Sequence, residues 1–219
     1  KVGFGNYTTP YLEAFLNTKR NENYSYGLHL KHLSSKNGPV LNSGVGENKV
    51  EAYATYIGDK VVVKGNAGFV RNRYNFYGYN HIESPVALDD TLKQFFNTIN
   101  INFAFENRNK KSDFNYNTSF NYYNFATLPN GWENEFFWKL ASDYKLNDDM
   151  KVLLDGGVSY TDRTDSSSIN RTLVLGKPAL FWQVSDKLKV IGGINVAYAN
   201  DTIIDYPKLH LYPRASVEY

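Results

Sequence analysis

The sequence predicts an all-β, antiparallel up-and-down transmembrane β-barrel, with about eleven strands in residues 1–219 and no second domain. Three observations carry that expectation. Long runs alternate apolar and polar residues, as in TININFAFEN and FNYNTSFNYY; strict alternation marks a strand whose two faces meet different surroundings. Short and long connections alternate along the chain, as they must where every second connection emerges at the same end. Several runs exceed twelve residues, whereas a tilted strand crosses a bilayer in about 9–11 and strands of soluble domains cluster near 5–6.

In chain order the runs lie near 9–18, 23–33, 49–57, 60–79, 93–106, 112–126, 135–146, 150–162, 171–184, 187–199 and 206–219. Tight polar knots separate some of them: Lys19 to Asn23, Gly58 to Asp59, Asn107 to Lys111, Asn147 to Asp149 and Ser185 to Lys187. Longer polar stretches separate the others: Ser34 to Asn48, Asn80 to Asp90, Thr127 to Asn134, Asp162 to Asn170 and Asn200 to Asp205. The only stretch with helical character is Ala87 to Phe95, a turn or two inside a loop.

Folding each run back over its knot sorts the side chains onto two faces. Over Arg108 to Lys111, Phe105 meets Phe114, Phe103 meets Tyr116 and Ile101 meets Thr118, while Asn102 meets Asn117 on the other side. Leu16 pairs with Tyr24 in the first hairpin, Tyr56 with Val61 in the second, Tyr144 with Val152 and Trp182 with Val190 in the last two. The apolar face carries rings near the strand ends and small or aliphatic residues (Val63, Gly65, Leu154, Gly156, Gly192, Ile194) at mid-strand. A bilayer selects that order because amphipathic rings settle at its two interfaces. A sandwich core would place its largest side chains in the middle.

Composition narrows the function. With 24 Lys and Arg against 22 Asp and Glu the chain has no basic field for nucleic acid. It has no cysteine, hence no disulfide, thiol nucleophile or Cys-ligated metal. No stretch approaches the roughly 18 apolar residues of a spanning helix. KVGFGNYTTP at the start lacks the form of a signal peptide, so the sequence reads as mature or as part of something longer.

The segment GFGNYTTPYLEAFLNTKRNENYSYGLHLKHLSS, residues 3–35, has a glycine-and-Asn/Tyr opening, a Pro, a strand, a polar turn and an aromatic return strand. It resembles barrel segments of outer-membrane proteins of the TonB-dependent receptor-like kind. The likeness is close over about the first eighty residues and stylistic beyond them. Neither a plug domain nor a TonB-box segment is visible in these residues, and eleven strands is about half of such a barrel. The resemblance implies a portion of a barrel in the bacterial outer membrane that takes up or passes a solute, receptor-like or porin-like.

The candidate contact surface is an amide wall of Asn100, Asn102, Asn115, Asn117 and Asn121, whose donors and acceptors suit a sugar, a peptide or ordered water in a lumen. The lipid-facing set is Phe103, Phe105, Phe114, Tyr116, Leu154, Val190 and Ile194. Lys64, Lys151, Lys187 and Lys189 against Glu51, Asp143 and Asp155 make the lumen mixed in sign. His29 and His32 fall on opposite faces of one strand, so they form no joint metal site. Asp148, Asp149, Asp162 and Asp165 lie in connections, where carboxylates bond nearby backbone N–H groups. Neither enzyme chemistry, cofactor nor metal is expected. The expected partners are the lipid bilayer, a small solute, sugar or peptide, and other envelope proteins. Two alternatives stand beside this reading: a structural or assembly-partner barrel, and a soluble antiparallel β protein binding carbohydrate or lipid.

Overall fold

The computed structural model describes residues 1–19, 21–36, 38, 40, 42–76, 92–128, 131–200 and 208–219. They form twelve strands: β1 (Val2–Gly5), β2 (Thr9–Asn17), β3 (Tyr24–Ser35), β4 (Val45–Ile57), β5 (Val61–Asn75), β6 (Lys93–Asn107), β7 (Phe114–Leu128), β8 (Gly131–Lys145), β9 (Met150–Thr164), β10 (Ser168–Gln183), β11 (Lys189–Ala199) and β12 (Leu209–Glu218). All belong to one sheet whose order is the order of the chain, and each neighbouring pair is antiparallel. Among the described residues no ladder joins β12 to β1, so the sheet is open. No helix among them is long and apolar enough to cross a membrane.

The sheet has no dry centre. Among the described residues the buried apolar ones are Leu92 and Ala179, and no large side chain is fully buried. Phe103 is 50% exposed, Leu154 46% and Ile194 50%. A sandwich of this size would bury such residues between two layers. Here Phe103, Leu154 and Ile194 stand on the same face of a single layer and stay about half exposed among the described residues.

The register explains why the face assignments survive errors in position. Two hairpins pair as predicted: Tyr144 with Val152 and Trp182 with Val190. The other three are displaced. Val63 rather than Val61 faces Tyr56, Leu28 rather than Tyr24 faces Leu16, and Thr118 rather than Phe114 faces Phe105. Each displacement is two or four residues, and an even slip keeps every side chain on its own face. The connections are longer than the polar knots because flanking residues join them: the Tyr24 N–H donates to Asn21 Oδ1 at 3.2 Å, and the Lys111 N–H donates to Asn109 Oδ1 at 3.0 Å.

Three sequence expectations are corrected. The described residues form twelve strands, the additional one being β1, whose Val2 pairs with Leu12 and Phe4 with Pro10. The stretches Thr127 to Asn134 and Asp162 to Asn170 are not long loops. β7 and β8 stay paired to Thr127 and Gly131, and β9 and β10 to Thr164 and Ser168. Their polar residues continue the ladder above the apolar belt, because backbone pairing does not require apolar side chains. The helical candidate lies mostly outside the described residues, and its last part, Lys93 to Phe95, is strand.

One ladder is interrupted. Between β10 and β11 the pairing breaks at Lys177 and Pro178, because proline has no N–H to give. Across that gap the Asn195 Oδ1 is buried without a partner. At mid-belt, by contrast, the backbones lie close: a Cβ on Gly156 would meet the Leu175 carbonyl oxygen at 2.7 Å.

Mid-strand positions on the two faces should respond differently to charge. In vesicle refolding titrations Leu154→Arg and Ile194→Arg are each expected to destabilise the bilayer-embedded fold by about 2–4 kcal/mol. Asn100→Arg on the opposite face should stay within about 0.5 kcal/mol; equal costs would refute the face assignment.

Candidate functional site

The polar face is built from alternate residues of every strand. Its amide wall occupies β6 and β7, where the register carries one row from Tyr53 through Asn66, Asn102 and Asn121 to Phe137. Asn102 Nδ2 donates to Asn121 Oδ1, and Asn121 Nδ2 reaches the Phe137 carbonyl at 3.4 Å. Asn115 belongs to the end of the wall. It accepts from Asn107 Nδ2 at 2.8 Å and donates to Asp143 Oδ2 at 3.1 Å and the Ser112 carbonyl at 3.0 Å. Asn100 and Asn117 are exposed and make no side-chain hydrogen bond among the described residues. The five amides are thus not one site: Asn102 and Asn121 brace mid-wall, Asn115 fastens a turn, and Asn100 and Asn117 present their groups outward from the wall.

Asn117 borders a recess with Lys110, Asp143, Lys151 and Asp155. Lys151 pairs with Asp143 at 3.7 Å. Beside them Glu106 accepts from Lys64 at 2.7 Å and Lys110 at 3.1 Å. Lys189, the last of the expected lumen lysines on a strand, meets Glu218 at 3.7 Å. Lys187 lies in the connection between β10 and β11 rather than on the wall.

A denser charge cluster on β2–β4 is not legible in the sequence alone. Glu13 accepts from Lys1 Nζ at 3.0 Å and Tyr11 Oη at 2.8 Å and meets His29 Nε2 at 3.2 Å. The other His29 nitrogen lies 3.8 Å from Glu51, which Lys49 holds at 2.7 Å. Lys31 and Glu47 close the group at 2.8 Å. The His29 ring lies flat on Phe15, with centroids 4.2 Å apart. The signal was present as Glu13, His29, Lys31, Glu47, Lys49 and Glu51 at alternate positions, but only the register shows that they meet. His32 stands on the other face beside Asn48, at 2.7 Å. No group of three or more His, Cys, Asp or Glu among the described residues could hold a metal.

The charges are segregated by face. Among described strand residues, the apolar face carries Arg71, Arg73, Lys93 and Asp162 by register; every other strand Lys, Arg, Asp and Glu is on the polar face. Lys64, Lys151, Lys189, Glu51, Asp143 and Asp155 all share that face. Phe103, Phe105, Phe114, Tyr116, Leu154, Val190 and Ile194 share the opposite one. In the connections, Asp148 takes Lys145 at 2.6 Å and Asp165 takes Arg163 at 2.6 Å and the Ser167 N–H at 3.1 Å.

No family model matches the chain, and no curated protein matches it. Solved structures do. The siderophore receptor PirA from Pseudomonas aeruginosa superposes with a TM-score of 0.60 at 11% identity, over 95% of this chain and 36% of the receptor. A variant of the ferric enterobactin receptor PfeA from the same organism gives 0.62 at 9% identity, over 95% and 38%. The ferric-catecholate import receptor Fiu from E. coli K12, in its open form, gives 0.60 at 8% identity, over 99% and 49%. This is the fold of a bacterial outer-membrane barrel wall. The chain spans between about a third and a half of the length of the receptors it matches. At these identities the likeness is one of fold, and it agrees with the single layer, the sequential strand order and the two-faced chemistry of the barrel wall.

Asp165 supplies a test of the connection geometry. The Ser167 N–H, helped by Arg163, holds its carboxyl below the ordinary Asp value. A depressed midpoint favours the ordered turn above the unfolded value and loses that contribution as the pH falls through the folded one. NMR titration should place Asp165 below 3.8; in Arg163→Gln the midpoint should rise while staying below it, because the backbone donor remains.

Proposed function

We propose that the chain forms part of the wall of a bacterial outer-membrane barrel through which a polar solute passes or is taken up. The carrying observation is the segregation of charge: an uncovered apolar face suits hydrocarbon, and a face of amides and neighbouring ion pairs suits a water-filled lumen. Structural likeness to three receptors, whose names describe siderophore, enterobactin and catecholate reception, supports the uptake form of this reading. The long connections between β3 and β4, β5 and β6, and β11 and β12 share one end, and outer-membrane barrels carry their long loops at the extracellular end. In this reading the apolar belt meets lipid, the wall performs no chemical step, and no cofactor enters.

The lumen carries both signs at close range, so it passes neutral and zwitterionic polar solutes more readily than it sorts simple ions. Exposed amides at Asn100 and Asn117 are its uncommitted donors and acceptors. They suit hydroxyl-rich or peptide-like solutes. The open edges at β1 and β12 favour a second reading, a wall that assembles with other envelope components, since lipid does not tolerate an unpaired sheet edge.

Proteoliposome swelling with small sugars separates these readings. Asn121→Trp, facing the lumen, should lower solute entry severalfold, whereas Phe120→Trp, one residue away and facing lipid, should leave it unchanged. Quenching of the added indole in Phe120→Trp by brominated lipid tails checks insertion separately. An inserted but silent wild type that copurifies with other envelope proteins would replace passage with the assembly reading.

A further inference from the structure

Among the described strand residues the apolar face has one basic region, and it lies at the border of the belt. A single row of the ladder runs His32, Asn48, Arg71, Asn97 across β3 to β6, with Arg73 one step further along β5 beside Gly46 and Phe95. Immediately below sit Val50, Phe69 and Ile99, paired side by side in the adjacent row and each exposed. Cations next to an uncovered apolar surface are costly unless something anionic and amphipathic meets both.

The side chains are arranged for an anion. Arg71 is exposed, lies over the Phe95 ring at 4.4 Å, and makes no ion pair among the described residues. Stacking fixes a guanidinium's plane and leaves its N–H edge to donate. Arg73 is anchored differently: its Nη2 donates to the Ser35 and Val45 carbonyls at 3.3 Å each, while its Nε is buried without a partner. His32 bonds Asn48 at 2.7 Å and Ser34 at 3.1 Å, which ties the near end of the row together. Along β2 to β8 the described residues place no carboxylate on this face. Among described strand residues the one carboxylate on the face, Asp162, is on β9, four strands from Arg71 or roughly 19 Å at about 4.8 Å per strand.

We propose that the His32, Asn48, Arg71, Asn97 row with Arg73 seats the phosphate-bearing headgroup of a membrane lipid, its acyl chains lying along Val50, Phe69 and Ile99. Arginine donates two parallel bonds to a phosphate, and the neutral amides on either side supply donors without repelling it. A row three strand spacings wide, roughly 14 Å, accommodates a headgroup larger than one phosphate. The belt directly beneath argues for a lipid over a free anion, since free phosphate would leave those side chains in water. The inference rests on membrane placement but not on solute passage.

The test uses the full chain, folded in an uncharged detergent, with lipid retention measured by native mass spectrometry. The probes are dioleoyl phosphatidic acid and dioleoylglycerol, the same lipid without its phosphate. Wild type should retain the phosphatidic acid preferentially. Arg71→Gln should weaken that retention about tenfold, the scale of one charge-assisted bond, while Arg71→Lys keeps part of it and Lys139→Gln, on the opposite face, changes it less than about twofold. Excess inorganic phosphate should not displace the lipid. Equal retention of the two probes, equal losses in Arg71→Gln and Lys139→Gln, or full displacement by inorganic phosphate would each overturn the site. Indole quenching in Phe120→Trp would still report insertion, so failure here is distinguishable from failure of the membrane reading.

Discussion

The backbone ladder is the constraint on which everything else depends. A single layer of twelve strands has almost no interior: Leu92 and Ala179 are its buried apolar residues among those described. The sheet cannot be held together by a packed core, which is the ordinary source of stability. Pairing along each strand joins the layer instead, and in hydrocarbon each backbone group left out of it costs several kcal/mol. Long strands follow from that economy. So does the tolerance of polar residues such as Asn134 and Asp162 inside paired segments, where side-chain chemistry is secondary to the bond between backbones.

With the backbone satisfied, the side chains are free to obey two solvents. On the polar face the charges neutralise one another between neighbouring side chains: Lys31 with Glu47, Lys49 with Glu51, Lys64 with Glu106. Such half-exposed pairs add little stability individually. Their effect is on the field, since paired charges keep a wall hydrated without giving the passage a strong sign. Rings serve the other solvent. Phe103 covers Gly65 across the β5–β6 ladder, where an added Cβ would meet the ring at 3.3 Å, so bulk on one strand is matched by its absence on the next.

Much of this is legible in the sequence because a period of two keeps each side chain on its face through any even shift in pairing. The β8–β9 and β10–β11 hairpins could be paired residue by residue, their turns having few polar residues to misplace. In β6–β7 the knot at Arg108 to Lys111 hid further turn residues, and Asn115 looked like wall when it also fastens the turn. The partners were therefore displaced while the faces held. β1 was missed for a local reason: the turn into β2 is made by Tyr7 and Thr8 at φ of 60° and 54°, a conformation that bulky and β-branched residues seldom adopt. The Glu13 and His29 cluster was beyond reach on other grounds, since its members lie on different strands and meet only through the register.

The two edges of the sheet bear on how the wall can exist in a membrane. β12 runs ten residues and is paired on one side only, which leaves about five N–H and carbonyl positions facing outward along it. In water that edge would be a site for aggregation; in hydrocarbon, at several kcal/mol for each unmet group, it is not a stable state. Pro213 has no N–H to offer a further strand, and β1, at four residues, presents too short a ladder to match the rest of the edge. Among the described strands β12 and β1 make no ladder with each other, and in hydrocarbon the outward backbone groups of both edges have to be met by pairing. That requirement does not depend on which solute the lumen admits, because it arises from the same backbone bonds that hold the layer together.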